Sequence, residues 1–324
     1  MLKAHFLQSL TPENLEALQS QLSAEVQLTV GVTVPAPAEY EILIASLPKR
    51  AHVEASPKLR ALIVPFTGVA EDVRELMAEF PNVAVHNSHH PAAATAELAV
   101  ALLMAAARRL PLVDRAFRTA DWTTGGRPET GVLLEGKTAL ILGYGQIGQR
   151  VARVCQALGM AVVATRRNVR ARLEAAVEIH PSADLPQLLP RAHALIVTLP
   201  LTPETRGLIG AAELSLLPEG AILVNVGRGP IVDEAALYAA LRDGALGAAG
   251  IDVWYTYPPD EGARTRTRPS AYPFHELDNI VMSPHRGGLI VESEKRGLAQ
   301  LAQMLNAAAH GEPLPNRVDL KTGY

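Results

Sequence analysis

The chain has 324 residues, about twice a modal domain, so two domains with room to bury catalytic groups are expected. Its 30 Lys and Arg against 33 Asp and Glu leave a formal charge of −3, which provides no cationic field for gripping nucleic acid or anionic lipid. With 48% hydrophobic and 19% charged residues, long disordered tails are excluded; the lone Cys155 excludes a disulfide framework or a Cys-rich zinc module and fits a reducing compartment.

In chain order, the N-terminus carries Lys3, His5, Gln8 and Glu13 and lacks a signal-peptide core. The longest purely apolar stretch, 98–107, is half a membrane span, so the chain reads as cytoplasmic with no membrane partner. Strands are predicted at 26–30, 41–45, 61–66 and 83–86, giving a smaller α/β domain. Residues 95–120, rich in Ala and Leu with Glu97 early and Arg108 and Arg109 late, read as one long connecting helix whose charges follow the macrodipole. A loop at 123–131 follows. From 138 onward, β-rich runs at 138–142, 161–165, 194–199, 221–226, 248–253 and 280–283 alternate with helical stretches, which predicts a parallel sheet covered by helices. A second loop, 257–273, is rich in Pro and Arg.

The strongest local signal is Gly143-Tyr144-Gly145-Gln146-Ile147-Gly148, between a predicted strand and a predicted helix within one βαβ unit. Gly143 suits the tight turn, Gly145 a close approach of backbone to a pyrophosphate, and Gly148 close helix–strand packing. Dinucleotides with a free ribose 2′-hydroxyl usually meet an Asp or Glu at the end of the second strand. Here Thr165 is followed by Arg166 and Arg167, with Arg170 one turn later and no carboxylate among them, so NADP is expected over NAD. Two other signals are set aside. Gly131 to Thr138 matches the phosphate-loop pattern letter for letter, but Thr138 leads into a strand rather than a helix. His86, His89 and His90 lack an accompanying thiol or second carboxylate, so no metal is expected there.

Together GYGQIG (143–148), TLPLTPETRGLI (198–209), LVNVGRGPIVDEAAL (223–237), GIDVW (250–254) and SPH (283–285) resemble the D-isomer-specific 2-hydroxyacid dehydrogenases, particularly of the glyoxylate/hydroxypyruvate reductase kind. The likeness is densest from Gly131 to Gly288. It implies two Rossmann-like or flavodoxin-like α/β domains, with a dinucleotide-binding domain (101–286) inserted in a substrate domain made of 1–100 and 287–324. It also implies hydride exchange between NADP, or NAD, and a small 2-oxo or 2-hydroxy acid, in a homodimer. By position, Arg228 matches the family's substrate-binding arginine and His285 its acid/base histidine. Thr67, Gly68 and Val69 match the segment whose backbone N–H groups take the substrate carboxylate. Thr95, Pro200, Thr205 and Asp252 fall where the family meets its cofactor, beside the six fingerprint residues.

Chemistry supports the two central residues independently. An α-keto acid presents a carboxylate and a carbonyl oxygen in one plane, which a rigid guanidinium can engage and polarise. The oxygen gains negative charge as hydride arrives, and imidazole is suited to protonate it near neutral pH. The departure lies at Tyr257-Pro258, where the family usually carries Glu-Pro, the carboxylate that charges the histidine. Asp260 or Glu261 folding back, or Tyr257 bonding His285 directly, are the open alternatives. If no carboxylate substitutes, His285 is expected near its ordinary pKa of about 6.5. The missing glutamate also keeps open a dinucleotide-sensing binding protein with little turnover, although such a sensor needs neither Arg228 nor His285.

Overall fold

The computed structural model describes residues 1–126, 131–169, 172–321 and 323. They fall into two compact units, one within 1–92 and 288–324 and the other within 93–287. The first begins with β1 (Leu2–Phe6), α1 (Pro12–Gln19), β2 (Val26–Val30), β3 (Ile42–Ile44), α2 (Arg50–Glu54), β4 (Ala61–Val64), α3 (Glu71–Ala78) and β5 (Ala84–Asn87). Its five strands are parallel in the order β2-β1-β3-β4-β5, the flavodoxin-like order. Strand β1 escaped the sequence reading because Lys3 and His5 interrupt its apolar run. The alternation still works: Leu2, Ala4 and Phe6 bury one face. On the other, His5 Nδ1 meets Thr29 Oγ1 at 2.9 Å and the ring stacks on Tyr40.

The second unit contains α4 (Ala92–Ala107, its first residue apart), α5 (Leu110–Phe117), β6 (Thr138–Leu142), α6 (Gly148–Ala157), β7 (Ala161–Thr165), β8 (Leu173–Glu174), β9 (Val177–His180) and α7 (Leu185–Leu188). It continues with β10 (Ala194–Val197), α8 (Ala211–Ser215), β11 (Ile222–Asn225), α9 (Glu234–Arg242), β12 (Ala248–Ile251) and β13 (Ile280–Met282). The sheet order is β13-β12-β11-β10-β6-β7-β9-β8, parallel except for β8 against β9. Strand order reverses between β6 and β10, the switch point at which ligands bind in such sheets. Apolar clusters cover both faces, which is why these strands read as continuous hydrophobic runs. The chain returns to the first unit as α10 (Ser293–Ala309), whose Leu298, Leu301 and Leu305 complete the core around β1.

The expected single helix over 95–120 is two. Arg109 takes a left-handed conformation (φ 51°) between α4 and α5, and Pro111 on the far side cannot continue the α4 hydrogen-bond ladder. The break is anchored, since Arg109 Nη2 donates to the Gly247 carbonyl at 2.9 Å. In the following loop Thr123–Gly126 form a short 3-10 turn, and 127–130 lie outside the described residues. Among the described residues no helix is long and apolar enough to cross a membrane.

Candidate active site

Every motif in the second unit emerges at the carboxyl end of a strand. After β6, Gly143 turns at φ 98°, and its N–H and that of Tyr144 donate to the Thr165 carbonyl at the end of β7 (3.2 and 3.0 Å). A Cβ on Gly148 would lie 2.1 Å from the Gly143 carbonyl oxygen, so only glycine lets α6 start this close to the strand. At Gly145, by contrast, an added Cβ would meet nothing within 4 Å. The open backbone there, and an α6 N-terminus whose N-cap Ile147 has no side-chain hydrogen bond, fit a dinucleotide pyrophosphate. Gln146 is held by Arg150 Nη1, which donates to its carbonyl and side-chain oxygens at 2.6 and 2.9 Å. Tyr144 is buried.

At the end of β7 the structure corrects one expectation. A carboxylate is present: Glu174, on β8, meets Arg166 Nη1 at 3.3 Å. The antiparallel β8–β9 ribbon folds back along the sheet edge and brings it there, a long-range placement invisible in the linear pattern. Arg167 follows on the turn, and Arg170 lies outside the described residues.

After β10, Thr198 Oγ1 donates to the Gly143 carbonyl (2.7 Å), tying the two strand ends at the switch point. Thr205 Oγ1 accepts from Thr202 N (2.8 Å) and donates to the Pro200 carbonyl (2.7 Å), so its hydroxyl shapes this turn. After β11 comes the Gly-Arg-Gly segment. A Cβ at Gly227 would lie 2.5 Å from the Leu199 carbonyl oxygen, and one at Gly229 2.3 Å from that of Trp254. The arginine is thus held between two strand ends that only glycines can approach. Arg228 is half-buried, its Nη1 donates to the Gly227 carbonyl (2.7 Å), and no carboxylate ion-pairs with it among the described residues. Burial holds its pKa below the ordinary value, opposed by the Tyr257 phenol.

Asp252 ends β12 fully buried. Its Oδ1 accepts from Ser283 Oγ (2.6 Å) and Arg286 N (2.9 Å), and its Oδ2 from Gly287 N (2.9 Å). Those donors bracket His285, which sits at φ 54°, a conformation rare for a non-glycine residue. Thr95 on α4 lies beside the same carboxylate, since a Cβ on Gly287 would touch Thr95 and Asp252 Oδ2 at 3.1 Å each. Trp254 completes the frame: its Nε1 donates to the Ser283 carbonyl (2.8 Å) and its N–H to the Tyr257 hydroxyl (3.1 Å).

The Tyr257 ring stands 5.4 Å from that of His285, tilted by 59°. Neither carboxylate of the loop reaches the histidine. Asp260 caps a 3-10 turn by accepting from Ala263 N (2.9 Å), and Glu261 pairs with Arg264 (2.8 Å). His285 therefore departs from the expected 6.5. Although the residue is exposed, its neighbours desolvate the ring and Arg228 repels the imidazolium, so its pKa falls below the ordinary value despite the opposing field of Asp252. Burial, the first of several influences, raises the Tyr257 phenol, which stays neutral at physiological pH.

In the first unit, Thr67, Gly68 and Val69 follow β4, again at a strand's carboxyl end. Asn87 Nδ2 donates to the Thr67 carbonyl (2.6 Å), and the buried Thr67 hydroxyl has no hydrogen-bond partner among the described residues. Of the set-aside histidines, His86 Nδ1 bonds the Pro315 carbonyl (2.8 Å) and His90 Nδ1 meets Ser88 Oγ (3.0 Å). No metal-holding group of three or more His, Cys, Asp or Glu occurs among the described residues.

Residues 100–287 match the model of the NAD binding domain of the D-isomer specific 2-hydroxyacid dehydrogenases. The chain is 39% identical to a glyoxylate reductase of Aeropyrum pernix over 231 residues, 70% of this chain and 66% of that protein. It is 30% identical to a D-3-phosphoglycerate dehydrogenase of Methanocaldococcus jannaschii over 268 residues, 83% of this chain but 49% of that one, so it spans about half the length of that relative. Among solved structures, a D-isomer specific 2-hydroxyacid dehydrogenase from Xanthobacter autotrophicus Py2, in complex with NADPH and MES, superposes with a TM-score of 0.81 at 27% identity, covering 99% of both chains.

Asp252→Asn tests the anchor. Loss of the charged acceptor is expected to cost about 1–3 kcal/mol of stability, measured by denaturant melts. Removing its negative field should lower the His285 pKa further, followed by NMR titration of the imidazole. A rise in that pKa would contradict the assignment.

Proposed function

The chain belongs to the D-isomer-specific 2-hydroxyacid dehydrogenase family, and we propose that it reduces a small 2-oxo acid of the glyoxylate or hydroxypyruvate class to the D-2-hydroxy acid, with NADPH preferred and NADH usable. The observation that carries the reading is Arg228, a half-buried guanidinium beside His285 with no carboxylate ion pair among the described residues. A cation in that setting favours an anionic ligand. In the proposed reaction Arg228 engages the substrate's carboxylate and carbonyl oxygen. The reduced nicotinamide supplies the hydride when bound. His285 gives its proton to the carbonyl oxygen, and Tyr257, neutral and tilted against its ring, holds the imidazole and excludes water.

On the cofactor side, Gly143 to Gly148 and the start of α6 receive the pyrophosphate, and Arg166 and Arg167 face the adenosine ribose. Thr95, Asp252 and the turn built by Pro200 and Thr205 border the nicotinamide. A second reading, a phosphorylated 2-oxo acid, is favoured by the phosphoglycerate dehydrogenase relatives. Assaying glyoxylate, hydroxypyruvate and phosphohydroxypyruvate with NADPH and NADH separates the two, and absence of turnover with all three would restore the dinucleotide-sensing reading. A cytoplasmic homodimer is the assembly we infer. Leu110, Phe117 and Trp122, on and just after α5, stay exposed, and the free thiol of Cys155 is buried.

Arg228→Lys is expected to lower kcat/KM for the keto acid at least about a hundredfold while dinucleotide affinity changes far less, because an ammonium cannot reproduce a planar two-point grip. Equal losses in both would mark a structural arginine. The pH profile carries a sign. The acid form of His285 is full below its lowered pKa and vanishes as pH rises through it, so reductive kcat/KM should already be declining at pH 7. Tyr257→Glu should move that decline to higher pH by stabilising imidazolium. A wild-type profile flat to high pH, or a variant profile that stays put, would count against His285 as the acid. Light scattering at micromolar concentration should return twice the chain mass, and a monomer would exclude the dimer.

A further inference from the structure

The β8–β9 ribbon is a built feature of the sheet edge. Its two-residue turn consists of Ala175 and Ala176, both at positive φ (48° and 61°), where a side chain adds strain and glycine or asparagine is usual. The turn is pinned from α6, where Gln156 Nε2 donates to the Ala175 carbonyl at 2.8 Å. β9 pairs with β7, Thr165 opposite His180, and Arg166 N donates to the His180 carbonyl at 2.9 Å. Glu174 is thereby fixed opposite Val177, with both carboxylate oxygens on Arg166 Nη1, at 3.3 and 3.4 Å. The Glu174 charge also reaches the fingerprint. Burial first, then Glu174, holds the Tyr144 phenol above its ordinary value, with Arg153 and Arg166 opposing.

We propose that Glu174 is a specificity-determining residue for the dinucleotide: its carboxylate is the counter-ion of Arg166 and opposes a ribose 2′-phosphate, which keeps NADH usable. The inference rests on the reading that Arg166 faces the adenosine ribose. A 2′-phosphate must take the guanidinium from Glu174 and bring its own negative charge within a few ångströms of a carboxylate. Both side chains are about a third exposed (33% and 30%), so the pair opens readily, but the repulsion remains. With NADH nothing competes for Arg166, and a Glu174 oxygen can accept from the 2′-hydroxyl. Folds that bind NAD draw that acceptor from the end of the second strand. Here the strand ends Thr165-Arg166-Arg167, and the acceptor comes from across the ribbon instead.

The test is direct titration of NADPH and NADH against wild-type protein, Glu174→Gln and Arg166→Ala, with thermal melts to confirm folding. Glu174→Gln keeps the shape and removes the charge, and it should raise the ratio of NADPH to NADH affinity about three- to tenfold. Arg166→Ala should lower that ratio. If the ratio is unchanged in Glu174→Gln but falls in Arg166→Ala, the role of Glu174 is overturned and the cofactor site stands. If Arg166→Ala leaves the ratio unchanged, the cofactor reading and this inference fall together. An equal change for both dinucleotides in Glu174→Gln also overturns the proposal, because the effect would not be felt at the 2′ position.

Discussion

The buried carboxylate of Asp252 is the constraint on which the chemistry of the second unit depends. It stands at the end of β12 and accepts hydrogen bonds from one hydroxyl and two backbone N–H groups that surround His285. A carboxylate taken out of water is tolerable only when its lone pairs are used, and these are. In return the donors over-determine a backbone conformation that His285 would not adopt alone. Trp254 adds the end of β11 to those of β12 and β13, through the Ser283 carbonyl, the Tyr257 hydroxyl and the close approach of Gly229. Arg228, Tyr257 and His285 are therefore side chains on one braced frame rather than on independent loops.

That frame sets the electrostatics. The family pattern places a glutamate next to the histidine, and this chain has a neutral phenol there, with Asp260 and Glu261 committed to local contacts. Burial and Arg228 then push the imidazole down, and Asp252 alone pulls it up. A weaker hold on the proton makes a stronger acid that is populated over a narrower pH range. In the proposed reaction the substrate carboxylate would neutralise Arg228, whose charge helps to depress the His285 pKa in the free protein. Proton and substrate would then favour each other's presence in the site.

Much of this was readable from the chain because local signals and long-range placement coincide at strand ends. Gly143, Gly148 and the two glycines around Arg228 sit where the backbone approach leaves no room for a side chain, so their spacing encodes their position, and Ser283-Pro284-His285 follows directly on a strand. What escaped detection lacked such a signal. β1 hides a buried histidine that only its pairing with β2 explains. The break at Arg109 is signalled in the sequence only by Pro111, set within an otherwise apolar run. Glu174 sits eight positions beyond Arg166 on a ribbon turned by two alanines, neither of which advertises a hairpin. Asp252 was expected beside the cofactor, but its role as the anchor of His285 depends on donors thirty and more residues away.

The two arginines at the strand ends show how one residue type can be given opposite tasks. Arg166 is partly exposed and already has a carboxylate against it, so an incoming anion must exchange one partner for another in a screened setting. Such an exchange changes affinity modestly and suits selection between two similar cofactors. Arg228 is more deeply set, has no carboxylate ion pair among the described residues, and is fixed by glycine contacts on both sides. An anion arriving there relieves a standing desolvation cost and meets donors that need no reorganisation, the condition under which charge stabilisation is largest. Discrimination is thus assigned to the arginine whose charge is already answered, and chemistry to the one whose charge is left open.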